Sequence, residues 1–215
     1  MNGYFVTGTD TGVGKTHVTA ALARAARNLG KKVFAHKPVE SGCEAIDGHL
    51  FGADMEALAK AAGDWQQGDL RGIYRLRSPV APYVAAVEDG IEIDFAKIKR
   101  TVEDGAAQAE VTLVEGAGGW RVPLTGSQDI ADLARDLGLP VVIVCRGTLG
   151  TINHSLLTIE AVERDGCRVG AVVLSKRPEE SHDFTRNNAE QIRRRWSKAP
   201  IVIVENDESV FRGLF

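Results

Sequence analysis

Short apolar runs alternate with longer stretches of helical periodicity along this chain. Runs rich in β-branched residues occupy positions 4–7, 33–35, 111–114, 141–145, 169–174 and 201–204. They are continuous rather than alternating, which predicts strands covered on both faces, as in a largely parallel sheet. Between the first two runs, Val18, Leu22, Ala25 and Leu29 fall on one helical face and Gly30 supplies a stop. Positions 129–137, 153–164 and 181–196 read as further crossover helices. Residues 63–93 are less periodic and contain Pro79 and Pro82, which predicts an irregular excursion. The expected class is α/β, a single domain over residues 1–215 with helices on both faces of the sheet.

Composition narrows the function by exclusion. A formal charge of −3 and a pI near 6.0 give no overall attraction to nucleic acid or to an anionic membrane. No apolar run approaches the roughly 18 residues a bilayer span needs, and the N-terminus enters strand and loop without a charged leader. The expectation is a cytoplasmic protein. Cys43, Cys145 and Cys167 are odd in number and widely spaced, which fits neither a disulfide framework nor a zinc site; Cys145 reads as core. His36, His49, His154 and His182 show no metal spacing with them and read as structural or surface residues. Arg193, Arg194 and Arg195 read as a solvated helix face.

Candidate chemistry begins with GTDTGVGKT at 8–16, between the first strand and the first helix. Backbone N–H groups of such a loop and the helix N-terminus behind it face an anion, with Lys15 toward the β/γ-phosphates and Thr16 toward magnesium. The spacing departs from the usual motif, because Thr9 stands where the first glycine is expected and Gly8 lies one residue further out. VTLVEGAGG at 111–119 is a strand ending in Glu115 and a Gly-rich turn. Ligands of an open parallel sheet bind beyond the carboxyl ends of its strands, so Glu115 reads as a magnesium ligand or as a local pairing partner. Asp54 reads either as a second such acid or as an N-cap or first-turn residue. HKPVESG at 36–42 sends Lys37 out of what reads as a central strand, stiffened by Pro38, into the same crevice. In GTINHS at 150–155, Asn153 is open to N-capping or to substrate contact.

Together these segments resemble the dethiobiotin synthetases. YFVTGTDTGVGKT (4–16), KPVESG (37–42), GADMEALA (52–59), SPVAPYVAA (78–86), VEGAGGW (114–120) and LGTINHSLLT (149–158) run in that family's order. The resemblance implies an ATP-dependent carboxylation of 7,8-diaminopelargonate with carbon dioxide. It proceeds through a carbamate and its mixed anhydride with phosphate to a cyclic urea. It implies that Gly12, Val13, Gly14, Lys15, Thr16 and His17 hold ATP, that Thr16, Asp54 and Glu115 hold Mg2+, and that Lys15, Lys37, Thr11 and Ser41 serve the reacting groups. Ser41 and Gly118 would also meet the substrate. The family is homodimeric, and Gly150, Thr151, Ile152 and Asn153 would receive the substrate's carboxylate end from the neighbouring subunit.

Two departures bear on the nucleotide. Ser175 stands where the family carries an Asn that reads adenine, and one hydroxyl offers less than an amide's donor and acceptor together. After the last strand the chain reads ENDESVFRGLF instead of a Gly-x-Ile-Pro turn. A nucleotide preference looser than strict ATP is expected. The rival readings are a partitioning-type P-loop ATPase, which would carry a Lys where Thr9 and Asp10 stand, and another ATP-dependent ligase with a different acceptor.

Overall fold

The computed structural model describes residues 1–205 and 208–215. In chain order, β1 (Gly3–Gly8), α1 (Lys15–Asn28) and β2 (Val33–His36) are followed by the short strands β3 (Val39–Ser41), β4 (Glu44–Ile46) and β5 (His49–Phe51). Next come α2 (Ala53–Ala61), β6 (Tyr74–Leu76), α3 (Pro82–Asp89), α4 (Phe95–Ala106) and β7 (Val111–Gly119). The chain ends with α5 (Ile130–Leu137), β8 (Val141–Arg146), α6 (Thr151–Arg164), β9 (Val169–Ser175), α7 (His182–Arg195) and β10 (Ile201–Val204). Short 3-10 helices lie at Gly68–Leu70 and Glu208–Leu214.

Six parallel strands form the main sheet in the order β10, β9, β8, β1, β7, β2. Because side chains alternate across a strand, each continuous apolar run feeds both faces. Phe5, Val141, Ile143 and Cys145 pack into one core with Ile130, Leu133, Ile159 and Ile192 of α5, α6 and α7. Val6, Val142 and Val144 pack into the other with Val18 and Leu22 of α1 and Phe211 of the last turn. Cys145 is fully buried in the core, as its apolar run predicts, and Cys43, Cys145 and Cys167 are free thiols.

Several elements differ from the sequence reading. β2 lies at the edge of the sheet, not in its centre, so Lys37 enters the crevice from the side. Leu29 is exposed as the C-cap of α1, and the helix instead buries Thr19, Ala23 and Ala26 as well, because the last turn of the chain covers it too. Residues 63–93 hold a 3-10 turn, β6 and all of α3. α6 starts at Thr151 behind the N-cap Gly150, so Asn153 is an exposed first-turn residue and not the cap. The divergent C-terminal segment includes Asn206 and Asp207, which lie outside the described residues.

Candidate active site

β1 and β7 are neighbours, so the loops at their carboxyl ends open into one cleft of about 700 Å3. The phosphate-loop residues Thr11, Gly12, Gly14, Lys15, Thr16 and His17 form one wall. Lys37, Ser41 and Asp54 form a second, Ala117 and Gly118 a third, and the Pro79–Pro82 stretch with Val122 closes the far side. Val13 turns its side chain into the core, leaving only its backbone to the loop.

The shifted glycine spacing has a steric explanation. A Cβ on Gly8 would lie 2.8 Å from the Asp10 carbonyl and 3.1 Å from Lys15 Nζ. The need for a bare backbone has therefore moved to position 8, and Thr9 instead ties its N–H to the Val144 carbonyl of β8 at 2.9 Å. Gly14 opens α1 in the left-handed region at φ 97°, where an added Cβ would sit 2.5 Å from Ser175 Oγ. Ser175 thus lies directly against the phosphate loop, at the end of β9.

At the centre of the site a buried carboxylate gathers the chemistry. Glu115 is 0% exposed, and its Oε1 accepts from the Thr16 hydroxyl at 2.8 Å and from Lys37 Nζ at 2.9 Å. Lys37 also donates to Asp54 Oδ2. Burial works against the Lys37 ammonium, but Glu115 and Asp54 outweigh it and hold its pKa above the ordinary lysine value. Lys15 is buried with fewer partners; desolvation, reinforced by Lys37 and opposed by Glu115, lowers its pKa to about 8. Its Nζ donates to the Asp10 carbonyl at 3.0 Å, folded over the loop.

Among the described residues Glu115 Oε2 has no hydrogen-bond partner, and it is buried on the carboxylate that holds the Thr16 hydroxyl. With Asp54 this makes an all-oxygen donor set, the kind that suits a hard cation such as magnesium. Among the described residues no cluster of three His, Cys, Asp or Glu side chains is arranged to hold a metal alone. A magnesium ion needs only one or two carboxylates, since water and phosphate oxygens complete its shell. The residues present fit the ion.

The remaining candidates lie elsewhere. Gly150, Thr151, Ile152 and Asn153 form the N-terminus of α6 and do not line that cleft, although Thr151 lines a smaller pocket with Thr9, Asp10 and Val13 of the phosphate loop. Sequence reasoning missed Glu40, which accepts from the Asp54 and Met55 N–H groups, and Arg146 and Arg177, which both donate to the Gly12 carbonyl at 3.4 Å. Glu40 lies within the KPVESG segment, where an acid between Lys37 and Ser41 was the available signal.

A phosphate loop opening a helix at the carboxyl edge of a parallel sheet defines a P-loop nucleotide-binding protein. Solved structures agree on the fold: the MinC:MinD complex of Aquifex aeolicus (TM-score 0.57, 18% identity, 96% of this chain and 82% of that one) and a ParA family ATPase of Chlorobium tepidum TLS (0.57, 12%, 99% and 93%). A family model described as an AAA domain matches residues 2–210. More specific likeness comes from ATP-dependent dethiobiotin synthetases. That of Anaeromyxobacter dehalogenans (strain 2CP-C) is 40% identical over 214 residues, covering 99% of this chain and 93% of the relative. That of Aromatoleum aromaticum is 45% identical over 174 residues, 80% and 77%. The chain belongs to the ATP-dependent dethiobiotin synthetase family, enzymes of the ligase class. Its likeness to the partitioning ATPases is one of fold.

Proposed function

We propose that residues 1–215 act as one catalytic unit that makes dethiobiotin from 7,8-diaminopelargonate, carbon dioxide and ATP, releasing ADP and phosphate. What carries this reading is the convergence of Lys15, Lys37, Thr16 and Asp54 on one cleft, with the buried Glu115 bonded to Thr16 and Lys37 and one of its oxygens without a partner among the described residues. One amine of the substrate adds to carbon dioxide and loses a proton, giving a carbamate. The carbamate oxygen attacks the γ-phosphorus, the bond to the β-phosphate oxygen breaks and ADP leaves. The second amine then attacks the carbamoyl carbon, its proton passes to solvent, and phosphate departs with the C–O bond electrons as the ring closes.

Phosphoryl transfer asks the protein mainly for positioning and charge neutralisation. Lys15, held over the loop by the Asp10 carbonyl, would serve the β/γ-phosphates. Lys37, which borders the same cleft, would bring its ammonium to the carbamate and the transferring group. Thr11 and Ser41 supply hydroxyls beside the reacting atoms, and Gly118 leaves room for the substrate. Gly12, Val13, Gly14 and His17 offer the loop backbone, and Ser175 the surface next to the base. Magnesium, held by Thr16, Asp54 and Glu115, would neutralise charge shared between the outer phosphates.

The enzyme is cytoplasmic and dimeric in this proposal, with the 150–153 segment of the neighbouring subunit receiving the substrate's carboxylate. The uncapped N-terminus of α6 supports that assignment, since a helix start favours an anion. Exposed Leu149 and Leu157 beside it support a partner chain there. Among the described residues no helix is long and apolar enough to cross a membrane.

The test is phosphate release with ATP, magnesium, bicarbonate and 7,8-diaminopelargonate, beside the same mixture without the diamine. Release that requires the diamine, with dethiobiotin as product, is expected. Equal release without it would mean that the loop drives something else.

A further inference from the structure

α2 begins without a local cap. Its N-cap is Gly52, whose missing side chain leaves the first-turn N–H groups to another part of the chain. Glu40 of β3 takes them: Oε1 accepts from the Asp54 N–H at 3.0 Å and Oε2 from the Met55 N–H at 2.9 Å. Glu40 is only 7% exposed, and a carboxylate bonded to two N–H groups at a helix start is a charge-assisted arrangement. Gly52 is matched to it, because a Cβ there would meet Glu40 Oε2 at 2.8 Å and Met55 Sδ at 2.9 Å. That conflict is one of space and not of φ, which is −91°. The glycine makes room for the distant carboxylate that replaces a cap.

The consequence concerns Asp54. The hairpin of β4 and β5 that leads into α2 is largely exposed, so the start of the helix is held by Glu40 on its backbone, by Lys37 on the Asp54 side chain and by the buried Met55. Glu40 bonds the backbone of Asp54 itself to the strand that carries Ser41 and follows Lys37. We propose that Glu40 is a positioning residue, which sets the Asp54 carboxylate opposite Glu115 by clamping the N-terminus of α2 to β3. The three-residue strand thereby fixes Lys37, Ser41 and Asp54 relative to one another. The role rests on the nucleotide–metal reading of the cleft.

The experiment is Mn2+ binding, read as free Mn2+ by electron paramagnetic resonance, in the presence of a non-hydrolysable ATP analogue. Glu40→Ala and Gly52→Ala are each expected to weaken Mn2+ binding by about tenfold, the scale found when supports of metal ligands are removed. Gly52→Ala retains the carboxylate charge while its Cβ crowds Glu40 Oε2 and, beside it, Met55 Sδ. Adding Gly52→Asp to Glu40→Ala supplies a local cap in the space vacated, and should restore the melting temperature but not the Mn2+ affinity. If Glu40→Ala does not fold, Glu40→Gln, which keeps one acceptor oxygen, takes its place with a smaller expected loss. Unchanged affinity in these variants would overturn the proposal, as would a loss confined to Glu40 with Gly52→Ala unaffected. Recovery of both properties in the double variant would reduce Glu40 to a helix cap and also overturn it. Failure of the unaltered protein to bind Mn2+ with the nucleotide would instead remove the reading of the cleft on which the clamp rests.

Discussion

Replacing Lys37 by methionine tests the electrostatics of the site apart from its chemistry. The ammonium lies 2.9 Å from Glu115 Oε1, and at an effective dielectric of about 20 that pair has a gross attraction of roughly 6 kcal/mol. Desolvation of both groups consumes much of it. What decides the variant is the carboxylate left behind, because Glu115 is fully buried and would keep only the Thr16 hydroxyl. Breaking a buried pair by removing one partner costs about 3–5 kcal/mol. The second pair, to Asp54, adds little because that carboxylate is 40% exposed. Lys37→Met should therefore lose about 3–5 kcal/mol in urea denaturation at neutral pH. For a chain of this size that is a fall of about 6–20 °C in melting temperature. Adding Glu115→Gln removes the stranded charge and should recover most of the loss. Diamine-dependent phosphate release should be absent from the single and the double variant alike, which separates stability from catalysis. A loss below about 1 kcal/mol in the single variant, or a double variant no more stable than the single, would refute this account of the buried pair.

Acid sensitivity should trace in part to His36, which is fully buried against Phe34 with its ring pKa lowered to about 4 by desolvation. Between the unfolded value of 6.5 and about 4 the unfolded chain binds a proton that the native state refuses, so stability falls with falling pH by up to roughly 3 kcal/mol. His36→Phe, compared with the parent by denaturation at pH 7 and pH 4.5, should flatten that slope; an identical slope would contradict the assignment. Gly14→Ala forces φ 97° on a residue with a side chain and drives it 2.5 Å from Ser175 Oγ, so nucleotide affinity measured by calorimetry should fall about tenfold or more. Adding Ser175→Gly should recover the steric part, and no change in affinity would mean that this approach is unimportant. Turnover with ATP, CTP and GTP at matched subsaturating concentrations should differ by less than about tenfold, given the single hydroxyl at Ser175; a large ATP preference would refute that expectation.

Local sequence was enough to place the strands of the sheet and to find the phosphate loop. All six main strands stand where the apolar runs lie, because continuous β-branched runs between turns have few local alternatives. The phosphate loop was equally legible, since nine consecutive residues build an anion cradle through backbone geometry alone. Where tertiary structure decided, the contacts span long distances along the chain. Glu115 meets Lys37 across 78 residues and Thr16 across 99, and no local pattern says which of its two readings applies. The order of parallel strands is set by crossovers rather than by composition, so β2 looked central and lies at an edge. Capping was one of the two readings open for Asn153 because the apolar helical pattern begins after it, whereas Gly150 and its left-handed backbone start α6 earlier. Glu40 was the least visible of all. A helix cap is ordinarily sought one residue before its helix, and this one comes from another strand because glycine at position 52 leaves the space for it.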